Sequence, residues 1–254
     1  MKNGFTHPGH GVETYGGSFE RIVTSVESGA NNGVFGYYFS GNYFREDGWR
    51  VFSDSDALNF YGNLGWRSPE STLDLGISHG DTELRGNGPL PVELLAMDRS
   101  AVFTAPDITA NKMTMVNLEG SHWLSEKIQT SGNIFYRKND TDSFNGDGSE
   151  FMECPDGLLY DGEDVNDLNG NDNCDPGEFT AGDFITDQNG AGIASTNLNG
   201  TDRDAINNLS NRDQEGFGAS LQTTFLGDLL THQNQLIIGT GYQQGLVDFF
   251  QITE

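Results

Sequence analysis

The chain has 254 residues, 35% of them hydrophobic, a formal net charge of −25 and no basic run. The apolar share is low for a globular domain, where roughly 45–50% is usual. Such an acid excess argues against nucleic-acid binding or capture of anionic lipid through a basic patch. It is also concentrated: between Asp140 and Arg212 stand 17 acidic residues against 2 arginines, a net −15 for that stretch. No apolar run is long enough for a transmembrane helix.

Strand-like runs follow one another along the chain. We read them at Val12–Gly17, Arg21–Ser28, Val34–Glu46, Leu58–Arg67, Thr72–Asp81, Met113–Trp123, Ile128–Lys138, Gln214–Leu226 and Gln233–Leu246. In the fourth, Leu58, Phe60, Gly62, Leu64 and Trp66 alternate with Asn59, Tyr61, Asn63, Gly65 and Arg67. In the fifth, Leu73, Leu75 and Ile77 alternate with Asp74, Gly76 and Ser78. Successive strand side chains point to opposite faces, so each run has one apolar and one polar face. Phe35, Tyr37, Phe39 and Tyr43 share a parity, as do Ile128, Thr130, Ile134 and Tyr136, and Phe217, Ala219, Leu221 and Phe225. The opposite faces carry Ser40, Asn42, Gln129, Asn133, Ser220 and Gln222. A membrane-crossing barrel strand needs about 9–11 residues of this kind, with lipid outside and a polar lumen within. A soluble β-sandwich shows the same alternation.

The links separate these two cases. Those at Gly29–Gly33, Ser68–Ser71, Leu124–Lys127 and Gly227–Thr231 are short, while those around Asp47–Ala57, Thr82–Lys112 and Asn139–Asp213 are long. Outer-membrane barrels have short periplasmic turns and longer extracellular loops, whereas a sandwich has no reason to alternate them. The brief link at Ser18–Glu20 is an exception on the long-loop side. Trp49, Trp66 and Trp123, near strand ends, suit interfacial aromatic girdles. Met1–Pro8 has no apolar segment of the kind that opens a secretory signal. A barrel must be exported, so we expect the chain to be an internal piece of a longer protein.

The acidic stretch holds the only two cysteines, Cys154 and Cys174. In an exported protein such a pair favours a disulfide, closing a loop of about 20 residues and contributing roughly 3 kcal/mol in the loop-entropy treatment. Asp167, Asn169, Asn171, Asp175 and Glu178 occupy the first, third, fifth, ninth and twelfth positions of a calcium-loop register. The sixth position, where that loop needs glycine, is Asp172, and no flanking helices are patterned, so a solvated acidic loop is the favoured reading of Asp167–Glu178. No motif of nucleophilic, phosphate-binding or zinc-hydrolase chemistry occurs, and neither catalytic residues nor a cofactor are expected.

Several segments resemble TonB-dependent outer-membrane receptors. Lys2-Asn3-Gly4-Phe5 resembles the last strand of that family's plug domain, and Tyr15-Gly16-Gly17-Ser18-Phe19 its first barrel hairpin. Tyr38–Trp49 is similar to its third strand and the loop that follows; Phe103–Thr109 and Phe144–Asp147 look like loop motifs of one subgroup. The resemblance implies an all-β fold: an antiparallel transmembrane β-barrel segment, about nine strands of an incomplete 22-strand barrel, with long extracellular loops. Residues 1–10 would be the remnant of the plug end and 11–254 the N-terminal part of the barrel. It implies residence in the outer-membrane lipid of a Gram-negative bacterium. It also implies energised uptake of ferric siderophores or similar scarce small-molecule nutrients, with the TonB complex engaged through a region preceding these residues. Asn63, Asn117, Gln129 and Asn133 would line the lumen. The fragment itself would be inactive. The alternatives are a passive porin-like channel and a secreted β-rich adhesion module that binds calcium.

Overall fold

The computed structural model describes residues 2–148, 151–153, 157–161, 186, 189–192, 205–229 and 232–253. Cys154, Cys174 and the Asp167–Glu178 segment lie outside the described residues. The strands are β1 (Gly9–Gly16), β2 (Ile22–Asn31), β3 (Phe35–Glu46), β4 (Ser55–Arg67), β5 (Ser71–Arg85), β6 (Asp107–Ser125), β7 (Ile128–Gly148), β8 (Phe151–Glu153), β9 (Leu159–Asp161), β10 (Ala205–Leu229) and β11 (His232–Thr253). One short helix, α1 (Val92–Met97), lies between β5 and β6. It is absent from the sequence expectation because six residues carry too little periodicity to read.

The main sheet has nine strands in the order β1-β2-β3-β4-β5-β6-β7-β10-β11, and β8 pairs with β9 in a separate hairpin. Two compact units are distinguishable: Met1–Phe144 with Leu209–Ile252, and Asn145–Asn208 with Thr253–Glu254. From β1 to β6 every pairing is antiparallel between chain neighbours. This is a meander, its antiparallel neighbours joined by short turns and by the longer loops after β3 and β5.

The strands run further than their apolar alternation suggested. β6 begins at Asp107, β7 continues to Gly148, and β10 begins at Ala205. The extra lengths are knit by polar side chains across strands. Thr141 donates to Asn111 at 2.8 Å, Ser143 pairs with Ser210 at 2.7 Å, and Asn211 donates to Asp142 at 2.7 Å. A polar ladder of this sort carries no apolar period, so alternation of hydrophobicity does not reveal it.

Two further expectations are corrected. Lys2–Phe5 does not form a strand. Residues 4–6 turn, because the Asn3 carboxamide accepts the Phe5 and Thr6 amides, each at 3.0 Å. Of the three tryptophans, Trp66 lies on the apolar face opposite Phe35. Trp49 stands in the loop after β3; Trp123 shares the polar parity of Ser121 and so faces away from an outer aromatic belt.

The sheet is polar on its buried side and apolar on its exposed side. Asn63, Asp74 and Asn117 are only 4%, 5% and 6% exposed, while Leu64, Leu75 and Ile77 are 62%, 44% and 41% exposed. A water-soluble sheet reverses this, because burying apolar surface drives its folding. Membrane-spanning barrels show the same inversion, with polar side chains towards the lumen and apolar ones outward.

Candidate functional site

Register assembles the polar wall from residues far apart in sequence. One row runs Tyr38, Asn63, Gly76, Asn117 across β3 to β6, and the next runs Gly36, Gly65, Asp74, Glu119. On the opposite face the corresponding row is Tyr37, Leu64, Leu75, Leu118. Gly76 leaves room for the Asn117 carboxamide, which a Cβ there would press aside. Gly36 and Gly65 make room for a ring instead. A Cβ on either would come within 2.8 and 2.9 Å, respectively, of the Phe5 ring.

The N-terminal segment Lys2–Pro8 is thus docked on this wall. Phe5 sits in the slot of the two glycines, and the Arg67 guanidinium covers its ring at 4.6 Å. Arg67 is itself fixed by Asp74 at 2.7 Å and by the carbonyls of Trp66 and Leu73 at 2.9 and 3.2 Å. The main chain of the segment is held as well: Asn31 donates to the Gly4 carbonyl at 2.7 Å and Tyr61 to that of Lys2 at 3.0 Å. The Lys2 ammonium reaches Glu27 at 3.1 Å, and the Tyr38 hydroxyl donates to the same carboxylate at 2.7 Å. Hydrogen bonding to Glu27 and Tyr38 raises the Lys2 pKa above the ordinary lysine value. Asn63 and Asp74 each retain a buried Oδ1 with no partner among the described residues.

Beside the docked segment the wall offers two open spaces, the first of them bordered by Lys2. A groove of about 630 Å³ is lined by Glu27, Ser40, Asn42, Asn59, Tyr61 and Ser78, among others. A second space of about 360 Å³ is bounded by Asp74, Glu119, Ser121, Asn133, Ser220 and Gln222. Hydroxyls, carboxamides and carboxylates so arrayed bind a polar body by hydrogen bonds.

Asn63, Asn117, Gln129 and Asn133, expected to line a lumen, share the polar face of the sheet. Asn63 and Asn117 share a row, Gln129 donates to Ser121 at 3.5 Å, and Asn133 accepts from Ser220. Phe5, Gly36, Gly65, Arg67 and Asp74 were not foreseen as a cluster. The signal available was the occurrence of a glycine at matching parity in two neighbouring strands, which marks close approach of another chain segment. Among the described residues no group of three or more His, Cys, Asp or Glu is arranged to hold a metal ion.

No protein-family model and no curated protein sequence matches the chain. Solved structures do. The ferric citrate transporter FecA, unliganded, superposes with a TM-score of 0.63 at 10% identity over 96% of this chain and 29% of its own. FpvA of P. aeruginosa, solved with a bound pyoverdine, gives 0.66 at 12% over 96% and 28%. The fold is that of TonB-dependent outer-membrane receptors. BauA, the ferric preacinetobactin receptor of Acinetobacter baumannii, gives 0.63 at 9% identity over 97% of this chain and 32% of that protein. The chain therefore spans about 30% of the length of the receptors it matches. At these identities the likeness establishes a shared fold, with the all-β antiparallel barrel architecture expected from the resemblance.

Proposed function

We propose that this chain is the N-terminal part of the β-barrel of a TonB-dependent outer-membrane receptor, with residues 1–10 as the end of the plug and 11–254 as barrel. The observation that carries the reading is the docking of Lys2–Pro8 on the polar wall through Phe5, Arg67 and Asp74. A chain that enters the barrel along its inner face is what a lumen-filling domain upstream requires. Both edge strands, β1 and β11, have one unpaired side in the nine-stranded sheet. An open edge is not tolerated in lipid, which supports closure by further strands towards the family's count of about 22. These residues alone are then inactive, and a stable monomer in membranes needs the rest of the barrel.

In the whole receptor the wall and the loops at the long-link end contribute to energised import of a ferric siderophore or similar scarce nutrient. The parent sits in the outer membrane of a Gram-negative bacterium, in contact with its lipid, with TonB acting on a region upstream. The assignment is to transport and reception rather than catalysis, in keeping with the transporters and receptors that share the fold. The disulfide between Cys154 and Cys174 belongs to the same proposal.

The test is uptake of radiolabelled iron, presented as ferric citrate and as ferric pyoverdine. The host is a Gram-negative strain stripped of its own receptors and expressing the full-length protein. Uptake that disappears when TonB is deleted is the expected result. Uptake indifferent to TonB identifies a passive channel. A protein that is soluble without detergent and carries no iron identifies the adhesion module.

A further inference from the structure

The loops at residues 47–54 and 86–106 follow β3 and β5 and are separate in sequence, yet one side chain ties them. Arg50 donates from Nε and Nη2 to the Ala101 carbonyl at 3.2 and 2.8 Å, and from Nη1 to the Gly88 carbonyl at 3.2 Å. The tie is reinforced by the main chain, where the Val51 amide donates to the Ser100 carbonyl at 3.0 Å. Arg50 is held in turn by its own loop. Its amide donates to Ser53 Oγ at 3.2 Å, and that hydroxyl donates back to the Arg50 carbonyl at 2.6 Å. Gly48 (φ 74°) permits the tight turn, since a Cβ there would lie 2.7 Å from the Ser53 carbonyl.

The geometry points to Arg50 as a positioning residue that joins the two loops into a single ligand-facing unit; the ligand-facing part rests on the receptor reading above. The other bonds of these loops lie within each loop or anchor its ends, as Ser53 to the Asp47 carbonyl at 3.4 Å, Asp54 to Arg85 at 3.2 Å and Ser100 to Asp98 at 2.6 Å. Helix α1 has six residues, no side-chain N-cap and no buried residue, and helices this short are not self-sustaining. The loops present exposed Trp49, Phe52, Val92 and Met97 rather than burying them. Carbonyl oxygens, not carboxylates, receive the guanidinium, so what matters is the fixed fork of donors and not charge pairing. A lysine ammonium is a single point and does not span the Ala101 and Gly88 carbonyls in the same way.

Hydrogen exchange of the full-length protein in detergent tests this, with Arg50→Ala and Arg50→Lys beside the natural chain. The Val51 amide is the reporter, and the ladder amides of Tyr38–Tyr43 in β3 and Leu58–Asn63 in β4 are the control. We expect exchange at Val51 to rise about tenfold or more in both variants, with the ladder unchanged. Unchanged exchange at Val51 in Arg50→Ala would overturn the inference. So would natural protection in Arg50→Lys, or a rise spread equally through the ladder. Exchange does not depend on ligand, so a protein that imports no iron defeats the receptor reading without altering this result.

Discussion

Gly36 faces Gly65 across the β3–β4 ladder, and the ring of Phe5 fills the space that their missing side chains leave. The pair belongs to the wall, but its purpose is legible only in the segment that docks on it. Replacing Gly65 with Ala forces Phe5 out, with a cost of about 1–3 kcal/mol for overpacking. The segment then loses the Asn31–Gly4 and Tyr61–Lys2 hydrogen bonds together. Tryptic cleavage after Lys2 should accelerate in the variant, and adding Phe5→Ala should cost less than it does alone. Unaltered cleavage would show that the slot does not hold the segment.

Arg67 and Asp74 form a pair in which both side chains are mostly shielded, at 23% and 8% exposure. Removing Arg67 leaves Asp74 in place with a buried charge and no cation. Arg67→Ala should therefore destabilise the full-length protein by about 3–5 kcal/mol. Asp74→Asn should cost less, because Arg67 keeps its bonds to the Trp66 and Leu73 carbonyls. Denaturant midpoints of both variants check this. Equal effects, or an Arg67→Ala effect below about 0.5 kcal/mol, would contradict it.

The turn between β1 and β2 places Phe19 and Glu20 in the left-handed region, at φ 61° and 55°. That conformation suits the twist of a hairpin but is costly for residues with a Cβ. Phe19 is half exposed, so little packing is forfeited by changing it. Phe19→Asn with Glu20→Gly should raise stability by about 1 kcal/mol, read as a higher melting temperature. A lower one would mean the Phe19 side chain has a partner outside these residues.

Lys2 gives a pH dependence with a definite sign. Its pKa is raised by Glu27 and Tyr38, so its contribution to docking is fully present below the ordinary lysine value, about 10.4. It is lost only as pH rises through the raised value. Protease accessibility of the N-terminal segment should stay constant from pH 7 to about pH 10 and increase beyond it. Release in the neutral range would assign the docking to some other titrating group.

The sequence disclosed what is local and concealed what is not. Alternation at Leu58–Arg67 and Thr72–Asp81 reported strands and faces directly, because a period of two needs only neighbours. The upper parts of β7 and β10 are stabilised by pairs such as Ser143–Ser210, which are polar on both faces and distant in sequence. The Phe5 slot depends on register between two strands and a third segment, so no single stretch announced it. Arg50 is equally hidden, since its acceptors are backbone carbonyls 38 and 51 residues away, which any sequence supplies.

The central claim is that the apolar face of this sheet meets lipid and the polar face lines a lumen. Spin-label accessibility along β4 and β5 of the full-length protein tests it most directly, in lipid bilayers and with Cys154 and Cys174 replaced by serine. Single labels at Leu64, Leu75 and Ile77 should be reached by oxygen and shielded from a water-soluble nickel reagent. Labels at Asn59, Asn63 and Ser78 should lack that lipid signature, giving a period of two along the strand. Labels at Leu64, Leu75 and Ile77 open to the nickel reagent, with no alternation, would mean that this face meets water and that the chain is not a membrane barrel wall.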